Sequence, residues 1–372
     1  MAGKSSTERL ALERQNAAIM AVFERAGFDQ IAPDIIQPAD IFLERSGEDI
    51  RSRTFVFNDP EGHELCLRPD LTVPACRYHL SHAKTPAAEA RYCYLGPAFR
   101  FPDEHLSPQE FNQAGLEWFG AAEAIAAEAR LLKLCISGLE AAGATGLKIT
   151  LGDLGIFNAL LQDTEMPDRW RRRLRHQFWR PRAFHELLKS FAAGPTSRRS
   201  SISSIVDSFK TSDAAAWLDE NNIALAGTRT LAEITERLAE KFADRSQPPI
   251  NVQAIENYLG VEGPALDMLL ILKTIAGCKN YARACQAYEQ RLEAMEDLGL
   301  NPRRYKFSAN FGREIEYYTG FVFQIDMETE HGPVAIAGGG RYDELLSDLG
   351  ATKRIPALGC AIHTERLQQV LA

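Results

Sequence analysis

Several groups of polar residues stand inside otherwise apolar, strand-like sequence. Arg68, Asp70 and Thr72 follow the run ELCL, Arg100 closes RYCYLGPAFR, and Gln113 and Glu117 lie within EFNQAGLEWFG. Arg313, Glu316, Tyr317 and Tyr318 precede FVFQID, and Arg341, Tyr342 and Asp343 follow GPVAIAGGG. Gln113 and Glu117 are four apart, so on a strand they share a face. Burying such groups without partners costs about 1–3 kcal/mol each, so the set demands partners. Two arrangements supply them. One is a network of internal ion pairs stitching the sheet. The other is a pocket for a small zwitterion, where carboxylates and an amide meet an ammonium group, arginine meets a carboxylate, and tyrosine hydroxyls meet a polar side chain.

Other candidates carry less. His79 and His82 are three apart, as in some metal sites, but no third ligand stands at a usual spacing, so an ordinary helix surface and no metal are expected. Arg169, Arg171, Arg172, Arg173, Arg175, Arg180 and Arg182 form one basic cluster with Trp170 and Trp179 interleaved. A solvated helix face with aromatic anchors accounts for it, with a polyanion or partner surface as the alternative. Gly338-Gly339-Gly340 does not give GxGxxG, and a tight turn with close backbone approach is expected there. The sequence contains no P-loop, GxSxG or HExxH motif.

Composition sets the frame. The chain has 372 residues, 45% hydrophobic and 25% charged, which suits one large or two moderate cores. The formal net charge of −8 is a poor basis for gripping a polyanion over a broad face. No run approaches the ~18–20 apolar residues of a membrane span, and the N-terminus lacks the apolar core of a secretory signal, so a cytoplasmic protein is expected. The 7 cysteines are odd in number, scattered and never CxxC, which suits reduced, mostly core thiols.

The elements follow from periodicity and punctuation. Residues 7–26 read as a helix capped by Thr7 and stopped by Gly27. GFDQIAPDIIQPADIF reads as extended chain, since Pro33 and Pro38 break a helix. RTFVFNDPEGHELCLRPD reads as a hairpin around Asn58–Gly62. Two strands flank a polar loop at 102–109, a helix spans 121–143, and LKITLGDL is a strand. Helical periodicity then runs from about 155 to 300, broken by GPTSRRSSISS. Strand character returns from 303, and the helix IHTERLQQVL ends the chain. The fold class is therefore α+β, an antiparallel-sheet core with flanking helices. Residues 1–155 open the core, 156–300 form a mostly helical insertion, and 301–372 complete the core.

These segments together resemble a known family. LCLRPDLTVPACR is similar to the LRPE-x-T segment of histidyl-tRNA synthetases, and RYCYLGPAFR with EFNQAGLEWFG resembles motif 2 of class II synthetases. GFDQIAPDIIQPADIF resembles motif 1, FGREIEYYTGFVF and AGGGRYDEL the two histidine-specific segments, and ALGCAIHTERL motif 3. The resemblance implies a class II synthetase-like core and a histidine pocket. Asp70, Thr72 and Gln113 would receive the α-amino group. Glu117 and Tyr318 would hold the imidazole, with Tyr317 and Tyr342 beside it, and Arg313 would face the carboxylate. Asp70 departs from the usual glutamate by one methylene, which loosens or water-bridges its contact.

The nucleotide half departs further. Arg100 and Arg366 match the motif 2 and motif 3 arginines, giving a vestigial nucleotide site and no catalytic residue. Two places after Arg100 stands Pro102 instead of a glutamate, and Ser107-Pro108-Gln109 replaces a basic loop. His363-Thr364 replaces the small residue before the Glu-Arg pair and would crowd the nucleotide floor. Six residues follow Arg366, so no anticodon-binding domain and no tRNA partner are expected. This combination resembles the synthetase-like regulatory-subunit family of short-form ATP phosphoribosyltransferases. It implies a non-catalytic protein without cofactor that assembles with a catalytic subunit, helps impose feedback inhibition by histidine, and forms a homodimer through motif 1. A truncated histidine-activating ligase and a stand-alone histidine sensor are the alternative readings.

Overall fold

A computed structural model describes residues 3–45, 52–101, 109–178, 180–193, 216–217, 220, 230, 232–233, 248–311 and 317–371. The chain divides into two compact units, 1–163 with 255–372, and 164–254. The helices between 255 and 300, expected in the insertion, belong instead to the first unit. Helical spacing reads alike in both places; what assigns them is packing and ion pairing against the first unit's own helices.

The large sheet of the first unit has nine described strands: β1 (Asp29–Gln30), β5 (Ala90–Phe99), β6 (Glu110–Phe119), β7 (Lys148–Asp153), β8 (Glu262–Pro264), β9 (Lys306–Ser308), β10 (Phe321–Thr329), β11 (Gly332–Arg341) and β12 (Ala357–His363). They are ordered β1-β5-β6-β12-β11-β10-β7-β9-β8. Among the described residues only β1–β5 and β7–β9 pair in parallel, so the sheet is mainly antiparallel, as the grouped strands imply. A second sheet joins β2 (Ile36–Pro38), β3 (Val56–Asn58) and β4 (Glu64–Leu67) in the order β2-β4-β3. The β3–β4 hairpin is the expected one, closed by Asp59 Oδ1 accepting from His63 N at 2.8 Å.

Three local readings change. The first helix, α1 (Ser6–Arg25), is capped by Ser5 and not Thr7, because Ser5 stands three residues before Glu8 and the two form a reciprocal capping box. The motif 1 segment is not extended throughout: α2 (Ala39–Arg45) starts directly after Pro38 and buries Ala39 and Phe42. A proline beside the first helical turn costs no intrahelical hydrogen bond. Gly338–Gly340 lies inside β11, paired on both sides, and not in a turn. Its close approaches are to neighbouring strands: a Cβ on Gly339 would stand 2.5 Å from the Cys360 Cβ.

One face of the large sheet is covered by α1 and by the helix Ala124–Ala141, which bury Leu116, Cys360 and Ile362 with their own apolar stripes. The pairing register aligns the other face. Tyr92, Glu117, Gly359 and Gly340 form one cross-strand row; Tyr94, Gly115, Ala361 and Gly338 form the next; Gly96, Gln113 and His363 form the third. This face, floored largely by small residues, carries the candidate site. Six of the seven cysteines are buried, and Cys278 is exposed.

The second unit holds the basic cluster. The helices Asp168–Gln177 and Pro181–Ala193 pack through Trp170 on Phe191, with ring centroids 4.1 Å apart and planes at 2°. Arg172, Arg173 and Arg175 face outward, which matches a solvated helix face anchored by an aromatic. Trp179 and the segment GPTSRRSSIS lie outside the described residues. No described helix is long and apolar enough to cross a membrane.

Candidate functional site

Glu117 is the centre. It sits on β6 with no solvent exposure. Its Oε1 accepts from the Tyr94 hydroxyl at 2.9 Å, its Oε2 accepts from the Tyr342 hydroxyl, and Thr72 also hydrogen-bonds to it. Burial raises its pKa to about 8, against the stabilising hydroxyls of Tyr342, Thr72 and Tyr94. The carboxyl group occupies space that a side chain at Gly359 would fill, since a Cβ there would stand 1.6 Å from Oε2. Tyr94 has an equivalent berth: a Cβ on Gly115 would stand 2.6 Å from its hydroxyl.

The other predicted pocket residues that are described converge on the same place. Asp70 is buried at the start of the helix Thr72–His82. Its Oδ1 accepts from Val73 N at 3.2 Å, while Oδ2 is buried with no hydrogen-bond partner. Burial pushes the Asp70 pKa up, opposed by nearby Arg100. A buried, unpartnered carboxylate oxygen is the acceptor an ammonium group needs. Gln113 uses Oε1 to accept from Leu71 N at 3.2 Å, which fixes its amide. Tyr317, Tyr318 and Tyr342 form an aromatic wall with centroid separations of 5.1, 5.7 and 6.4 Å. Tyr318 lies over Gly340, whose Cβ would meet its ring at 3.0 Å. Arg313 and Glu316 lie outside the described residues.

Three members of the polar set serve elsewhere. Arg68 donates to the carbonyls of Pro97 and Pro33 and so ties β5 to the motif 1 segment. Arg341 and Asp343 belong to a buried ion network. Arg341 Nε meets Glu128 Oε1, Arg291 meets Glu128 at 2.6 Å and Asp153 at 2.7 Å, and Arg341 meets Asp343 at 2.9 Å. Burial works against the Glu128 charge, yet Arg291 and Arg341 hold its pKa below the usual value. The expected internal ion pairs therefore exist, and they stand apart from the residues gathered around Glu117. His79 is fully buried rather than on the surface, with Nε2 on Pro86 O at 2.8 Å and Nδ1 near the Tyr92 hydroxyl at 3.3 Å. Among the described residues no cluster of three metal-ligating side chains forms.

Sequence alone does not single out Tyr94, Gly115 and Gly359. The available signal is the recurrence of glycine at period-2 positions on adjacent strands, which marks places where another group lies flat on the sheet.

Next to Gln113 the same sheet face changes character. His363, its cross-strand partner, lies tilted against Phe111, with ring centroids 5.1 Å apart and planes at 35°. Arg100 places its guanidinium carbon 5.5 Å from the Phe111 centroid and donates Nε to Pro69 O at 2.7 Å. Arg366 donates to Ala335 O at 3.4 Å. Burial, with Arg366 and Arg100 nearby, holds the His363 pKa well below the usual imidazole value. Glu365 accepts from Asn112 N and Nδ2, both at 2.7 Å, and so fastens the final helix to β6. The loop 102–108 lies outside the described residues.

Comparison with known proteins bears on this arrangement. A family profile described as Histidyl-tRNA synthetase matches residues 6–254 and 235–367. An ATP phosphoribosyltransferase regulatory subunit of Brucella anthropi is 34% identical over 351 residues, covering 91% of this chain and 92% of that protein. One from Sinorhizobium fredii is 32% identical over 369 residues, covering 95% and 96%. Among solved structures, an ATP phosphoribosyltransferase regulatory subunit/histidyl-tRNA synthetase from Bacillus halodurans aligns with a TM-score of 0.71 at 22% identity, over 100% of this chain and 81% of that one. Histidyl-tRNA synthetase from Nostoc aligns with a TM-score of 0.63 at 17% identity, over 100% and 75%. These two structural likenesses bear on the fold, which is that of a class II histidyl-tRNA synthetase.

Proposed function

The chain belongs to the family of ATP phosphoribosyltransferase regulatory subunits, and from that premise we propose that it is a non-catalytic, histidine-binding subunit that regulates a phosphoribosyltransferase partner. Asp70, Thr72 and Gln113 receive the ligand's ammonium group. Glu117, Tyr318 and Tyr342 engage its ring, with Tyr317 completing the wall and Arg313 taking the carboxylate. The observation that carries the reading is the orphaned Asp70 Oδ2 beside the hydroxyl-ringed Glu117 carboxyl. Two acidic groups buried together are costly until a cationic or N–H-donating ligand arrives.

Regulation then follows from linkage. A ligand that binds one assembly state better shifts the complex toward that state, by no more than its differential affinity. Histidine in the pocket favours the low-activity arrangement, and the unliganded subunit supports full activity. No metal, cofactor or tRNA takes part, and the subunit pairs with a second copy through the motif 1 region.

Mixing the protein with a short-form catalytic subunit and following phosphoribosyl-ATP formation tests this. Activity should rise on mixing and fall with added histidine, and Glu117→Gln should blunt the fall. Unchanged activity on mixing, or equal inhibition with both variants, overturns it. Histidine-dependent ATP–pyrophosphate exchange above a blank would assign the chain to the ligases instead.

A further inference from the structure

Glu128 and Glu117 are both buried in the first unit, and their partners differ in kind. Glu128 meets the guanidiniums of Arg291 and Arg341, which can only donate. Its charge is therefore locked in place. Glu117 meets hydroxyls: Tyr94 on Oε1, Tyr342 on Oε2, and Thr72. A hydroxyl accepts as readily as it donates. The cage around Glu117 thus serves the acid as well as the anion, one hydroxyl turning to receive the acid's proton while the others go on donating.

No cation stands against Glu117 among the described residues. Tyr92 pairs with it from β5 and Gly359 from β12. The helix Thr72–His82 and the turn before it bring Asp70 and the buried thiol of Cys76. Tyr317 and Tyr318 come from the segment before β10, and Cys360 lies on the opposite face of β12. Burial raises every one of these tyrosines and thiols, so they stay neutral. The charged neighbour that remains is Asp70, another acid, whose Oδ2 is itself without a hydrogen-bond partner. Two enclosed carboxyl groups do not both ionise cheaply. Asp70 has Arg100 and Arg68 nearby; Glu117 has its hydroxyls, and is the one suited to keep a proton.

We propose that the empty pocket stores a proton on Glu117 and exchanges it for its ligand: when a zwitterion with an N–H-bearing ring enters, the N–H takes the proton's place, so that occupancy of the site rises with pH. The Glu117 O–H bond breaks, the proton passes to the solvent, and the carboxylate accepts from the ring. This rests on the reading of the pocket as a histidine site and names how that site is regulated. The Glu117 pKa of about 8 puts the exchange near neutrality.

Calorimetry of histidine binding to the full chain at pH 7, in two buffers of different ionisation heat, counts the protons released. Wild type should release about one, and its affinity should rise about fivefold from pH 7 to pH 8. Glu117→Gln, read at saturating histidine, should release little and lose the pH dependence. If that variant binds too weakly to saturate, infrared spectra of the two unliganded proteins serve equally: wild type should show the carbonyl stretch of a protonated carboxylic acid that Glu117→Gln lacks. Histidine binding to wild type with the same heat in both buffers, a release undiminished in Glu117→Gln, or a protonated-acid band common to both proteins overturns the exchange alone. No histidine binding to wild type overturns the pocket reading and the exchange with it.

Discussion

The Glu117 carboxyl group lies against the backbone of Gly359, so closely that a Cβ on Gly359 would stand 1.6 Å from Oε2. The residues are direct partners in the β6–β12 register. A buried acid on a sheet face thus depends on the absence of a side chain on the neighbouring strand.

Gly359→Ala should therefore displace Glu117 and lower histidine affinity by about 30-fold or more, in line with losing a ~2 kcal/mol charge-assisted contact. Gly338→Ala, with room for its methyl group, should bind as wild type does. Adding Glu117→Asp to Gly359→Ala shortens the acid by one methylene and should recover some of the affinity. Calorimetry on the four proteins decides; equal loss in both glycine variants would point to general sheet damage.

Glu117→Gln keeps the shape and removes the carboxyl group that can ionise against a bound ring. A charge-assisted contact in a closed pocket contributes ~2–4 kcal/mol, so histidine binding should weaken by roughly 30- to 1000-fold at 1.4 kcal/mol per tenfold. Unchanged affinity in a folded variant would place histidine elsewhere.

The same group sets a pH dependence. Glu117 has a folded pKa of about 8 against a usual 4.5. Between these values the folded state binds more protons than the unfolded state, so stability falls as pH rises through that window. Its contribution is fully present below about pH 4.5 and lost above about pH 8. Asp70, raised by the same burial, acts with the same sign. Urea unfolding of unliganded wild type should show a loss approaching ~1 kcal/mol per pH unit across that range, and Glu117→Gln should flatten it. A parallel slope in the variant would remove Glu117 as the source.

Glu128 holds two guanidiniums, Arg291 and Arg341, in the core. Glu128→Gln leaves both without their shared anion, and breaking a buried pair from one side costs ~3–5 kcal/mol. A fall of several degrees in Tm is expected, with histidine affinity of the folded protein retained because the network lies away from Glu117. A variant as stable as wild type would mean that the arginines find other partners.

The small sheet exposes Ile36 at 53%, Val56 at 41% and Phe57 at 38%, with Ile35 at 41% beside them. β2 is an edge strand there. Exposed apolar edges are normally covered, and a second copy is the proposed cover. Wild type should sediment as a dimer at micromolar concentration, and Ile36→Asp with Phe57→Asp as a monomer. A monomeric wild type contradicts this.

Much of this was decided in the sequence. Alternation and turn residues place β5, β6 and β7 to within a residue or two, because local patterning and burial on one face agree there. Gln113 and Glu117 must share a face because a strand leaves no other choice. The resemblance supplies the expectation of a histidine pocket and of a weakened nucleotide half, since the motifs that carry both are contiguous. The tertiary structure alone decided which polar residues serve which purpose. Arg341 and Tyr342 are neighbours in sequence, yet one closes an ion network with Glu128 and the other donates to Glu117. Adjacent residues at a strand end point to opposite faces, and what each face meets comes from segments more than 200 residues away. Gly359 and Tyr94 were invisible for the same reason: a berth for Glu117 exists only once β6 lies between β5 and β12, and that pairing is long-range and written in no single stretch of sequence.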